Sequence, residues 1–170
     1  FAEQKKSTQA GVDGKWSLRL DPLSASSEPR DLIITSNQSS GIKQLQCSDV
    51  LVGEVWLGSG QSNMAMTVAG CYRFDEEKAA AKLPLIRHYR ESSGPADAPQ
   101  AEGKGAWQIC TPENVGGFSA TLFFFGREIH REVGVPVGLI NTSVGGTPIE
   151  SWVAAEVQSS DPETKTNYDT

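Results

Sequence analysis

The chain has 170 residues, with 21 acidic and 15 basic side chains and a formal net charge of -6. Its length predicts one domain of about 100–200 residues or two small ones. Nucleic acids and anionic membranes both require a concentrated positive surface, and the sequence has no basic run. The longest apolar run, Leu122–Phe125, is far shorter than the roughly 18 residues of a spanning helix. We therefore expect a soluble protein without a nucleic-acid or membrane partner; the first residues also show no signal-peptide pattern.

The cysteines and histidines do not predict a metal site. Cys47, Cys71 and Cys110 form no CxxC pair, and the two histidines, His88 and His130, do not stand at metal-ligand spacing from them. Free cysteines are most often buried small apolar residues. We expect all three to be buried or half-buried residues of this kind.

The first part of the chain has the pattern of a small β-rich domain, which we place at residues 1–48. A turn signal at Asp13-Gly14 precedes the alternating segment Trp16–Leu20, and Asp31–Thr35 reads as a second strand between polar turns. Short strands separated by turns are typical of a β-sandwich. Two or three strands cannot close one, so we expect further residues upstream.

The pattern changes to alternating strands and helices over residues 49–157, before a polar tail at 158–170. The apolar run 50–58 predicts a strand buried on both faces of a parallel sheet. Apolar residues from Phe118 to Val133 recur at helical spacing, and Gly134 is placed to end that helix. The other predicted elements are helix 76–82, strand 84–89, loop 91–105, strand 135–140 and a helix opening with a capping box at Thr147–Glu150. This order predicts an α/β fold with a parallel sheet.

Two glycine-containing loops follow predicted strands and should emerge at the carboxyl edge of the sheet, where open α/β sheets bind ligands. The first presents Ser62 between Gly58 and Met64, a position suited to a nucleophile. Polar turns favour the same residue types, so an ordinary loop is the alternative. The second loop contains Gly145 and Gly146, whose N–H groups would suit a developing oxyanion. An ordinary strand-to-helix connection is the alternative there.

Three blocks of sequence carry a family resemblance. They are DVLVGEVWLGSGQSNM (49–64), FSATLFFFGREIH (118–130) and VPVGLINTSVGGTPIESW (135–152). Together they resemble the sialate O-acetylesterase family of the SGNH hydrolases, which includes carbohydrate acetylesterases. The segment DGKWSLRLDPL also resembles the small β-domain that precedes or interrupts the catalytic domain in this family. The resemblance implies an SGNH-type three-layer α/β fold, incomplete in this chain.

The resemblance also implies roles for individual residues. Ser62 matches the family nucleophile, and its own N–H contributes to the oxyanion hole. The glycine of the second family block falls at Gly145 or Gly146. No metal or organic cofactor is implied, because a serine, a base and oxyanion donors suffice for acyl transfer.

Glu150 occupies the position of a glutamate in the family motif. Two roles are open for this side chain: it is the capping partner of Thr147, or it forms a hydrogen bond that orients Gln61 or Asn63. We therefore expect Gln61, Asn63 and Glu150 to support Ser62 in the site.

The departures from the family pattern concern the general base. A serine hydroxyl needs a base to accept its proton, and the family's C-terminal Asp-x-x-His segment has no counterpart here. His88 and His130 look structural or solvent-exposed. We therefore expect the catalytic His and Asp to come from a second polypeptide or a missing C-terminal half. The alternative is an inactive carbohydrate-binding module or inert fragment, and an exposed apolar sheet face would favour the missing half.

The family resemblance further implies an acetylated sugar as substrate and an exported location, whether secreted, periplasmic or lysosomal. Sialic acids are anions and would need a nearby arginine. The candidates are Arg73, Arg87 and Arg90.

Overall fold

The computed structural model describes residues 1–38, 41–94, 96, 98–160 and 162. The chain divides into two units, Phe1–Glu54 and Val55–Thr170. The first unit contains strands β1 (Ser26–Gln38) and β2 (Gly41–Val52), which pair antiparallel with Leu32 opposite Cys47. The predicted strand 31–35 is thus confirmed as part of a longer one.

The predicted strand Trp16–Leu20 is wrong. This segment is not paired as a strand, although the Gln4 side chain bonds the backbone of Asp21 in both directions, at 2.8 and 3.2 Å. An alternating pattern is insufficient here because no partner strand among the described residues offers its backbone groups. Short segments of this kind need neighbouring strands for their stability.

The second unit contains a four-stranded mixed sheet in the order β3-β6-β4-β5. Its strands are β3 (Glu54–Gly58), β4 (Leu83–Arg90), β5 (Trp107–Cys110) and β6 (Val137–Asn141). Strand β4 runs parallel to β6, with His88 opposite Leu139, and antiparallel to β5. The α/β fold and strands 84–89 and 135–140 are confirmed, whereas β5 makes the sheet mixed rather than wholly parallel.

The predicted strand 50–58 is two strands. Residues up to Val52 belong to β2. Gly53 lies in neither strand, and β3 begins in the other sheet at Glu54. Strand β3 lies at the edge of its sheet, and Val55 and Leu57 are 62% and 66% exposed. The expectation of burial on both faces is therefore wrong for this chain.

Four α-helices and three short 3-10 turns complete the described structure. The helices are α1 (Ser62–Ala65), α2 (Phe74–Ala80), α3 (Ala120–Val133) and α4 (Ala155–Ser160); the 3-10 turns are Val68–Gly70, Val115–Gly117 and Ile149–Trp152. Helix α3 confirms the apolar periodicity, although it begins two residues after Phe118. Its end is also confirmed, because Gly134 adopts a φ of 69° and its N–H donates to the carbonyl oxygen of His130.

Helix α3 covers one face of the sheet and forms the core with it. Ile86, Leu139 and Phe123 are fully buried. The helix approaches β6 closely because Gly126 has no side chain: a Cβ there would lie 2.7 Å from the Leu139 side chain. The burial alternates along β4 and β6, so one face of each strand enters this core.

The opposite face of the sheet is largely exposed, and we call it the uncovered face. Trp107 on β5 is 49% exposed and extends across Tyr89, with ring centroids 5.6 Å apart, towards Gly138. A Cβ at Gly138 would meet the Trp107 ring at 3.2 Å and Val55 at 3.5 Å. The apolar side chains of this face are Val55, Leu57, Tyr89, Trp107, Ile109 and Ile140.

The predicted polar tail, 158–170, begins inside helix α4. Gln158 is buried, and its Nε2 donates to the carbonyl oxygens of Glu150 and Val153 at 2.7 and 2.8 Å. Residues 161 and 163–170 lie outside the described residues. None of the helices in the described parts of the chain has the length and apolar character to cross a membrane.

Candidate active site

The two loops singled out in the sequence lie side by side. The N–H of Thr142 donates to the carbonyl oxygen of Gly58 at 3.0 Å, and the N–H of Val144 donates to that of Gly60 at 2.9 Å. Both segments advance by two residues from the first hydrogen bond to the second, as two parallel strands do. The expectation that both loops meet at the carboxyl edge of the sheet is confirmed.

The first loop requires glycine at two positions, for different reasons. Gly60 has a φ of 130°, which residues with a side chain rarely adopt. Gly58 is buried against α3, and a Cβ there would lie 2.5 Å from the Leu122 side chain. These two glycines let the chain leave β3 close to the helix and turn directly into α1.

Ser62 is the first residue of helix α1, and Gln61 is its N-cap. The carbonyl oxygen of Gln61 accepts the N–H groups of Met64 and Ala65, both at 2.9 Å. This single helical turn holds Ser62 at the start of the helix with its side chain exposed. The sequence expectation of a serine presented at a strand-to-helix turn is met.

The side chain of Gln61 contacts both polar groups of Ser62. Its Oε1 accepts the Ser62 N–H at 2.9 Å and the Ser62 hydroxyl at 2.6 Å. An N-cap side chain usually accepts from the second or third helical N–H, so this contact with the first one is unusual. The oxygen of Gln61 thus occupies the two donors of the candidate nucleophile.

The start of helix α3 holds the α1 turn in place. The Ser119 hydroxyl donates to the carbonyl oxygen of Met64 at 2.6 Å, and the Thr121 hydroxyl donates to that of Asn63 at 3.0 Å. The N–H of Ala120 donates to the carbonyl oxygen of Met66 at 2.8 Å. These bonds satisfy the carbonyl groups that a four-residue helix leaves without partners. Sequence reasoning missed Ser119 and Thr121, because their contacts are with a distant part of the chain.

The structure distinguishes the two candidate glycines of the second loop. A Cβ built on Gly145 would lie 3.8 Å from the Ser62 hydroxyl oxygen, so Gly145 borders the serine directly. Gly146 has a φ of 80°, and a Cβ there would have no neighbour within 4 Å. The geometry therefore places Gly145 beside Ser62, and Gly146 serves the turn of the backbone.

The capping box predicted at Thr147–Glu150 is wrong. The segment Ile149–Trp152 is a 3-10 turn whose N-cap is Pro148. The Thr147 hydroxyl instead donates to the carbonyl oxygen of Val144 at 2.8 Å and accepts the indole N–H of Trp152 at 3.0 Å. The hydroxyl is thus used to close the second loop. Glu150 is half-buried in this turn.

A buried asparagine shapes the start of the second loop. Asn141 is 5% exposed, and its Oδ1 accepts the N–H and the hydroxyl of Ser143 at 2.9 and 2.6 Å. This is an Asx turn, for which the Asn-x-Ser sequence is a recognisable signal. It fixes the direction in which the chain leaves β6 towards Gly145.

An open cleft with a volume of about 440 Å³ lies over the α1 turn. Gln61, Ser62 and Asn63 share it, so the structure brings three of the predicted site residues together. The residues that line it are Ser59, Gly60, Gln61, Ser62, Asn63, Met64 and Thr121. In the described part of the chain, no three His, Cys, Asp or Glu side chains cluster as metal ligands would.

Neither histidine is placed to act as a base for Ser62. His88 is fully buried, stacks on Phe118 at 4.6 Å, and accepts the Ser119 N–H through Nε2 at 3.2 Å. Burial, together with the nearby Arg90 charge, lowers the pKa of His88 to about 4. His130 is half-buried rather than solvent-facing, and its Nδ1 bonds the carbonyl oxygen of Val135 at 2.7 Å. Both histidines therefore have structural partners.

Comparison with known proteins places these features in a family. A fold with a mixed sheet and a serine at a strand-to-helix turn is that of an α/β hydrolytic enzyme. The profile of the family "Carbohydrate esterase, sialic acid-specific acetylesterase" matches residues 52–169. The chain belongs to this carbohydrate esterase family.

Individual relatives agree with the family profile. Rat sialate O-acetylesterase is 32% identical over 158 residues, which cover 88% of this chain and 29% of the rat protein. The human sialate O-acetylesterase is 34% identical over 146 residues, which cover 81% of this chain and 28% of the human protein. The crystal structure of a carbohydrate acetylesterase from Xanthomonas citri matches with a TM-score of 0.78 and 33% identity, covering 88% of this chain and 34% of that one. The chain spans about three tenths of the length of the curated relatives it matches.

Proposed function

We propose that this chain is part of a serine esterase that removes O-acetyl groups from sialic acid or a related acetylated sugar. The observation that carries the proposal is the position of Ser62. Its hydroxyl lies in an open cleft, beside Gly145 and within the family-matched region. An exposed hydroxyl at a strand-to-helix turn can approach an ester carbonyl with little steric hindrance.

The proposed reaction proceeds through a covalent acetyl-enzyme. Ser62 Oγ attacks the acetyl carbonyl carbon while a base takes its proton, and the carbonyl oxygen becomes an oxyanion. The N–H groups of Ser62 and Gly145 are the proposed oxyanion donors. The tetrahedral intermediate expels the sugar oxygen, which receives the proton from the base. Water then attacks the acetyl ester by the same route and releases acetate and free Ser62.

The base in this proposal comes from outside these 170 residues. The sequence contains two histidines, and both have structural partners. The matched region covers 29% of the rat relative and 28% of the human one. We therefore assign the catalytic His and Asp to a C-terminal half or a second polypeptide.

The uncovered face of the sheet supports this assignment over an inert binding module. Monomeric proteins rarely expose a contiguous apolar surface of this kind, and Val55, Leu57 and Trp107 are each about half exposed or more. Strands β4 and β6 run parallel, and all-parallel sheets are covered on both faces. The remainder of the protein would cover this face and bring the base to Ser62.

Arg90 is the best placed of the three arginines to bind an anionic sugar. It ends β4 opposite Asn141, the residue from which the Gly145 loop starts, and it has no ion-pair partner among the described residues. Arg73 pairs with Glu76 at 2.7 Å, and Arg87 lies on the uncovered face. A guanidinium suits a sugar carboxylate because it can donate two parallel hydrogen bonds.

The experiment measures acetate release from an O-acetylated sialic acid by the full-length protein and by its Ser62→Ala variant. The proposal expects the variant to lose at least about 1,000-fold in kcat. Ser36→Ala, an exposed serine in β1, is the matched control and should keep full activity. Equal turnover by Ser62→Ala and the parent protein would refute the proposed nucleophile.

A further inference from the structure

The Gln61 side chain accepts hydrogen bonds from the two groups of Ser62 that the proposed reaction uses. Its Oε1 accepts the Ser62 N–H at 2.9 Å, and this N–H is a proposed oxyanion donor. The same oxygen accepts the Ser62 hydroxyl at 2.6 Å, and that proton must pass to the base. A single acceptor therefore covers both groups of Ser62 that the proposed reaction uses.

We infer that Gln61 is a positioning residue that occupies the Ser62 donors at rest and is displaced when the acetyl carbonyl binds. This inference rests on the proposed esterase chemistry at Ser62. An N–H group makes one strong, linear hydrogen bond at a time, so the acetyl oxygen and Gln61 Oε1 exclude each other.

The surroundings of Gln61 allow the exchange. Gln61 and Ser62 are both exposed and line the open cleft, so water is available to the carboxamide after it is displaced. The backbone carbonyl of Gln61 holds the helical turn through Met64 and Ala65, independently of the side chain. The side chain can therefore rotate away while the backbone of the nucleophile stays in place.

The contact also has a positive role at rest. It gives the exposed Ser62 hydroxyl one defined direction in place of several rotamers. It satisfies an N–H at the start of a helix, where backbone donors otherwise have no partner within the helix. Gln61 thus keeps the serine ordered but weakens binding of the acetyl carbonyl.

The inference predicts opposite effects for two substitutions in the full-length protein. Gln61→Ala frees the donors, so KM for an acetyl ester should fall about 2- to 10-fold, because one competing hydrogen bond is removed. Gln61→Glu adds a charged acceptor, which binds the donors more strongly and opposes the oxyanion. Its kcat/KM should be reduced about 100-fold at pH 7. Gln44→Ala, an exposed glutamine in β2, is the matched control.

The pH profile separates this role from a structural one. The ratio of Gln61→Glu activity to parent activity should rise as pH falls through the carboxyl pKa, about 4.3 in its ordinary state, because the protonated acid no longer carries charge. A structural defect would leave this ratio independent of pH. An unchanged or raised KM in Gln61→Ala, or a flat ratio for Gln61→Glu, would overturn the inference.

A second readout does not depend on turnover. In ¹⁵N-serine-labelled full-length protein, the Ser62 amide proton should move upfield in Gln61→Ala, because its carboxamide acceptor is gone. An unchanged Ser62 resonance would overturn the inference even if the esterase proposal stands. Turnover that does not depend on Ser62 would instead remove the esterase proposal, and the amide shift would still decide whether Gln61 covers Ser62.

Discussion

The N–H of Val144 donates to the carbonyl oxygen of Gly60 at 2.9 Å, which joins the loop that carries Ser62 to the loop that carries Gly145. Backbone groups make this bond, so the two loops are held together whatever their side chains. Gly145 consequently borders Ser62 as a result of this backbone pairing between the loops. This arrangement lets single side-chain substitutions change the chemistry of the site while the loops stay in register.

The two glycines of the second loop should respond differently to alanine. In Gly145→Ala the added methyl group would lie at an ordinary contact distance, 3.8 Å, from the Ser62 hydroxyl oxygen. We expect near-normal stability but a loss on the order of 100-fold in kcat/KM, because the methyl group enters the space of the reacting ester. Gly146→Ala places alanine at a φ of 80° and should cost about 1–2 kcal/mol of unfolding free energy.

Urea unfolding and acetate release, measured on both variants, test this difference. Gly146→Ala should keep most of its activity, since its new methyl group has no neighbour within 4 Å. The assignment of Gly145 to the site is contradicted if Gly146→Ala loses more activity than Gly145→Ala while both remain folded.

Gly58→Ala should destabilise the second unit. The new Cβ would lie 2.5 Å from the Leu122 side chain, and β3 and α3 would have to separate. We expect a loss of about 1–3 kcal/mol in the free energy of unfolding, as for other overpacked cores. Adding Leu122→Ala removes the clashing atoms, so the double variant should lose less than the sum of the two single losses. Strict additivity in a double-mutant cycle would contradict the contact.

The buried His88 should make stability depend on pH. Its folded pKa is about 4, below the ordinary value of 6.5, so between these values the unfolded chain binds a proton that the folded chain does not. The stabilisation is fully present above pH 6.5 and is lost as pH falls towards 4, by on the order of 2–3 kcal/mol. The free energy of unfolding, measured from pH 7 to 4, should therefore fall more steeply in the parent protein than in His88→Leu. Parallel pH curves for the two proteins would show that His88 is not the group responsible.

Arg90→Ala should discriminate between substrates. If Arg90 binds the carboxylate of sialic acid, the variant should raise KM for O-acetylated sialic acid about 10-fold and leave KM for a neutral acetyl ester unchanged. Arg131→Ala is the matched control, because Arg131 lies exposed on α3 and pairs with Glu132. A uniform rise in KM for both substrates would rule out carboxylate recognition by Arg90.

Local sequence patterns predicted the elements that depend on local interactions. Helix α3 was predictable because its apolar residues repeat at helical spacing and Gly134 supplies the left-handed end. Strands β4 and β6 were predictable as short apolar segments next to turns. The proximity of the two loops followed from the rule that parallel strands place their carboxyl ends at one edge.

The errors concern elements whose state depends on distant partners. Strand β5 is four residues long and exists because β4 offers it an edge, which its own sequence does not reveal. The run 50–58 has no local signal that Gly53 divides it between two sheets. The Thr147 hydroxyl matches a capping box, but the Trp152 indole and the Val144 carbonyl are its actual partners. The contact between Gly145 and Ser62 likewise required the paired loops.

The most direct test of the account is detection of the acetyl-enzyme. Full-length protein is mixed with an O-acetylated sugar, quenched in acid within the first turnover, digested, and analysed by mass spectrometry. The account predicts that one acetyl group appears on Ser62, and that it is absent from Ser62→Ala. An acetyl group on a different side chain, or rapid acetate release with no acylated peptide at any quench time, would contradict it.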